Sequence, residues 1–122
     1  MKTLLITISL LLSLVALQAE EPPARPESFA TFWAAFKSAV AKNDREAVAA
    51  VTKLPFMGQQ AKAAFLKNYP SYFSPEVRKC LETAKPARQN NRDSFIVFCG
   101  EEIFNFEKVN GAYKFTSIDM ND

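Results

Sequence analysis

Near the end of the chain, Ile103 to Val109 and Ala112 to Met120 alternate apolar or aromatic residues with polar ones on either side of Asn110-Gly111. That dipeptide predicts a two-residue hairpin loop, because a type I′ turn needs two residues that tolerate positive φ. With Asn110 and Gly111 as the loop, Val109 faces Ala112, Phe106 faces Phe115, Phe104 faces Ser117 and Glu102 faces Asp119. Strand periodicity then gathers Phe104, Phe106, Tyr113 and Phe115 on one side. Ile103, Asn105, Glu107, Lys114, Thr116 and Ile118 fall on the other. Upstream, Gly100 predicts a second tight turn that sets Phe95 against Phe106 and Val97 against Phe104. Three strands therefore share one aromatic face, and something must cover it.

The segments that precede the strands supply the cover. Phe29, Phe32, Trp33, Phe36 and Val40 recur at three- and four-residue steps, which predicts an amphipathic helix capped by Ser28. Asn43 and Glu46 have the spacing of a capping box, so a second helix is expected to run to about Thr52. Leu54-Pro55-Phe56 reads as extended, because proline pushes the residue before it out of helical space. Gln59 to Asn68 favours a third helix that buries Ala61, Ala64, Phe65 and Tyr69 and stops at Pro70. Ser74-Pro75-Glu76 starts a fourth, with capping serine, proline at the first helical position and an acid in the first turn. Its buried stripe is Val77, Cys80, Leu81 and Ala84. Pro86 to Asp93 reads as a polar loop, in which Arg88 and Arg92, with Lys79 and Lys85, form either a solvated surface or an anion patch.

The chain begins with one lysine, an uncharged apolar run from Leu4 to Leu17, and Ala19 before Glu20. This is the pattern of a secretory signal peptide spanning 1–19, with a run shorter than the roughly 18 residues of a membrane span. Glu20 to Glu27 holds three prolines and reads as a disordered tether, so residues 28–122 are left as one domain. Loss of Lys2 brings 15 basic against 13 acidic residues close to balance. That argues against a nucleic-acid partner, since phosphate neutralisation needs many Lys and Arg contacts. No stable membrane insertion is expected after cleavage.

Two cysteines remain, Cys80 on the fourth helix and Cys99 on the buried face of the sheet. In an exported chain an even count makes a disulfide the default, with a pair of buried thiols as the rival. A catalytic cysteine would need a neighbouring base. The absence of histidine removes the side chain best suited to proton transfer near neutral pH, along with most zinc sites. With three glycines there is no phosphate loop or dinucleotide fingerprint, and no cofactor is expected.

The aromatic helix FATFWAAFKSAV, the junction KNDREAVAAV and the closing FNFEKVNGAYKFTSI together resemble the nuclear transport factor 2-like superfamily, in particular its small exported bacterial members. The resemblance implies an α+β cone, with N-terminal helices packed on the concave face of a curved antiparallel sheet that ends in a hairpin. It also implies a pocket inside the cone and pairing of two subunits through the outer face. On that basis Trp33, Phe36, Phe65, Tyr69, Glu102, Phe104 and Tyr113 are candidates to line a pocket for a small apolar ligand. Ile103, Asn105, Thr116 and Ile118 are the candidate homodimer surface. The favoured reading is a non-catalytic binding domain for a small apolar ligand or a protein partner. The alternatives are a structural homodimeric module and a histidine-free enzyme of the isomerase or dehydratase type. The enzyme would require a carboxylate raised in pKa by burial, Glu102 beside Tyr113 or Asp119, and no catalytic or metal-binding residue is assigned.

Overall fold

A computed structural model describes residues 28–90 and 92–121, so the expected signal peptide and tether lie outside the described residues. Four helices precede a curved four-stranded antiparallel sheet whose strands neighbour one another in chain order. The fold is α+β, with the helices N-terminal to the sheet apart from a short extended link between the second and third.

Helix α1, Phe29–Ala41, starts where Ser28 Oγ accepts the Thr31 amide at 3.1 Å. It buries Phe29, Phe32, Trp33, Phe36 and Val40, the stripe its periodicity predicts. Helix α2, Arg45–Ala50, is capped one residue later than expected: Asp44 Oδ1 accepts the Ala47 amide at 3.1 Å. Asn43 instead takes a left-handed φ of 55° between the two helices, a conformation its short polar side chain tolerates.

Helix α3, Lys62–Tyr72, runs past Pro70 rather than stopping at it. Proline removes one backbone donor but leaves the turn intact here, because Tyr72 is fastened from outside. Its hydroxyl donates to Gln60 Oε1 at 2.6 Å, and its ring lies 5.2 Å from that of Phe56. Helix α4, Pro75–Thr83, starts at Ser74, whose hydroxyl accepts the Val77 amide at 3.2 Å.

Strand β1, Ala87–Arg88, pairs with β2, Ser94–Cys99, inside the segment expected to be loop. Strands β2 and β3, Glu102–Val109, pair in the predicted register, Phe95 against Phe106 and Val97 against Phe104. Strand β4, Ala112–Met120, follows its predicted register only as far as Phe115. Beyond it Asn105 faces Ser117, Phe104 faces Ile118 and Glu102 faces Met120.

The extra residue is Thr116, a β-bulge. Its hydroxyl donates to the Asn105 carbonyl at 3.2 Å, and it is buried. The expected outer surface is corrected accordingly. Thr116 is enclosed at the bulge, and Ile118, opposite Phe104, packs against the core. Beside the bulge, the Phe115 amide donates to Val51 O at 2.8 Å and its carbonyl accepts from Lys53 at 2.9 Å. The 51–53 backbone thus holds the flank of β4 where the ladder shifts.

The core lies between α1, α3 and α4 and the inner sheet face. Phe115 sits within it, its ring 5.1 Å from Phe56, 5.5 Å from Phe106 and 5.7 Å from both Phe36 and Phe73. Among the described residues no helix is long and apolar enough to cross a membrane.

Candidate functional site

The six aromatic residues expected to ring a cavity are buried among other rings. Phe36 lies 5.1 Å from Phe106, Phe65 5.1 Å from Phe56, Tyr69 4.8 Å from Phe73, and Tyr113 5.3 Å from Phe29. Trp33 stands 5.6 Å from Phe106 and Phe104 stands 6.0 Å from Phe115. Edge-to-face and tilted packing of this kind fills volume with the chain's own side chains. These residues pack into the core, with Phe32, Phe56, Phe73 and Phe115 completing it, and of the six Phe36 also borders a hollow between α1 and α2.

Glu102 is separated from Tyr113 by the length of β3. Tyr113 faces Lys108, six residues and about 20 Å along the strand. Glu102 instead lines a surface hollow of about 450 Å³ with Glu76, Glu101, Met120 and the Cys80–Cys99 disulfide. Asp119 is exposed and accepts a hydrogen bond from Asn105 Nδ2 at 2.9 Å. The structure thus leaves the two carboxylates and the tyrosine of the enzyme reading apart. Among the described residues no group of three or more Cys, Asp or Glu side chains is placed to hold a metal ion.

Two other hollows flank the fold. One, of about 360 Å³, is lined by Lys53, Leu54, Met57, Glu107, Thr116 and Ser117. The other, of about 210 Å³, lies between α1 and α2 over Phe32 and Phe36, walled by Ala35, Ala39, Ala47 and Val51.

The basic loop is partly neutralised from within. Asp93 takes an ion pair from Arg88 at 3.5 Å and another from Lys108 at 3.9 Å, and it accepts the Tyr113 hydroxyl at 3.3 Å. An anion patch centred on Arg88 would have to compete with this carboxylate.

Comparisons with protein-family models, with curated proteins and with solved structures gave no match.

Among the described residues the outer sheet face carries an open apolar patch. Phe98 is 51% exposed, with Ile96 two residues away on the same face of β2 and Ile103 directly opposite on β3. Ile103 and Asn105, expected on this face, are there, while Thr116 and Ile118 are not. Phe98 was missed as a surface residue, although the alternation that turns Phe95, Val97 and Cys99 inward requires Phe98 to point out. Polar groups border the apolar patch: Asn105 Nδ2 also donates to Ser117 Oγ at 3.1 Å, and Glu107 faces Lys114 across the hairpin.

Proposed function

We propose that this chain is an exported, disulfide-held, non-catalytic interaction domain of the nuclear transport factor 2-like cone type, whose outer sheet face docks on a second copy of itself. The observation that carries the reading is Phe98, half exposed beside Ile96 and Ile103. Aromatic side chains gathered with aliphatic ones on an open face mark contact surfaces.

The choice of a second copy follows from charge. Glu107 faces Lys114, and Asp119 accepts from Asn105, so this face carries both signs rather than one. An isologous pairing sets each residue against its own face about a two-fold axis, which a single-signed face would resist. Export is supported by the apolar leader of the sequence and by the cysteine pair, since disulfides persist in oxidising compartments.

Sedimentation of the mature chain over a range of concentrations tests the reading. Dimers are expected, and Phe98→Asp should give folded monomers. A wild-type protein that stays monomeric at every concentration rejects the proposal, as does a Phe98→Asp protein that still dimerises.

A further inference from the structure

The side chain of Tyr69 is fully buried, and its hydroxyl has no hydrogen-bond partner among the described residues. Leaving such a group unpaired in a protein interior is unfavourable, and nearly all buried hydroxyls are satisfied by protein, water or an ion. Two arginines lie near Tyr69. The Arg45 guanidinium lies 5.5 Å from the centre of the Tyr69 ring. Arg78, from α4, is fixed against the C-terminal end of α3, its Nε donating to the Phe73 carbonyl at 3.3 Å, and the Phe73 ring packs 4.8 Å from that of Tyr69. Neither arginine forms an ion pair with any described residue.

We propose that the Tyr69 hydroxyl and the guanidinium groups of Arg45 and Arg78 together bind a small oxyanion of the phosphate or sulfate class. A water molecule would satisfy the hydroxyl alone, whereas an oxyanion would also face the two guanidinium groups, neither of which is ion-paired with a described residue. The Asp44 carboxylate, next to Arg45 in the chain, accepts the Ala47 amide through Oδ1 as the cap of α2. A tyrosyl hydroxyl and guanidinium nitrogens are all donors, and an oxyanion is the acceptor that takes several at once. Arg45 is exposed at the start of α2, so its side chain is free to move from the ring to admit the ion, while Arg78 stays anchored by its Nε. The binding residues belong to helices rather than to the sheet face proposed for self-association, so either reading stands or falls without the other.

The chain has three tyrosines. With tyrosine labelled at Cζ, the Tyr69 resonance is identified by its loss in Tyr69→Phe. Inorganic phosphate is then titrated against sodium chloride at constant ionic strength. A saturable shift of Tyr69 is expected, with Tyr72 and Tyr113 unmoved. Arg78→Gln and Arg45→Gln should each weaken it by about tenfold, the loss of one charge-assisted bond. No saturable shift of Tyr69, or an equal shift in both arginine variants, overturns the proposal. Should a variant fail to fold, the wild-type melting temperature decides: it must rise over matched chloride at phosphate below about 10 mM, where the general kosmotropic effect is small, and equality there overturns the proposal.

Discussion

The Cys80–Cys99 disulfide joins helix α4 to the last residue of β2, with 5.8 Å between the Cα atoms. The two residues are 19 apart in the chain, a loop whose closure in the unfolded state corresponds to about 3 kcal/mol of stabilisation. Replacing both cysteines with alanine should lower the unfolding free energy obtained from urea titration by about that amount, and with it the midpoint, while keeping the fold. An unchanged midpoint would show that the cross-link does not restrain the unfolded chain.

The contrast between Phe115 and Phe98 gives a second prediction. Phe115 is fully buried against rings from α1, α3 and the loop before it, so Phe115→Ala should cost about 3–5 kcal/mol through lost burial and a cavity. Phe98 is half exposed, and Phe98→Ala should change the stability of the monomer by about 0.5 kcal/mol or less. Urea unfolding at low protein concentration compares them directly. Equal losses would mean that Phe98 is covered in the monomer.

At the start of α2 the cap is Asp44, not Asn43. Asp44→Ala should destabilise by about 1 kcal/mol. Asn43→Gly should be neutral or slightly stabilising, because glycine adopts the left-handed φ of 55° freely. A larger loss from Asn43→Gly than from Asp44→Ala would return the cap to Asn43.

Tyr69 also sets an alkaline limit. Burial raises its pKa above the ordinary 10.0, opposed by Arg78 and Arg45 and reinforced by Asp44. The unfolded chain therefore releases this proton first. The stabilisation is fully present below about pH 10 and is lost as pH rises through the raised value. Thermal melts against pH should show wild type losing stability above about pH 10 more steeply than Tyr69→Phe.

The elements carried by local chemistry were legible in the sequence. Ser28 and Ser74 cap the helices they were expected to cap, and Asn110-Gly111 forms the hairpin loop. The elements set by distant contacts were not. The run of α3 through Pro70 depends on Gln60 and Phe56, and the shift in β4 depends on the backbone of 51–53 reaching Phe115. The interior was misread for a related reason: periodicity places Trp33, Phe36 and Phe104 on inward faces, but whether those faces enclose a space depends on Phe56 and Phe73, which come from an irregular segment and a helix cap. No local signal marked Tyr69 as an unpaired hydroxyl, because its neighbours Arg45 and Arg78 come from other helices.

Thr116 makes the final hairpin one residue longer on β4 than the ladder on β3 requires. In a strand of strict alternation, losing a residue turns every later side chain to the opposite face. Here the surplus is already present, so removing Thr116 would leave Ser117 opposite Asn105 and Ile118 opposite Phe104. The position tolerates deletion in its pairing while its neighbours do so only by borrowing its slack, and the hairpin thus holds a built-in allowance for a length change at the bulge.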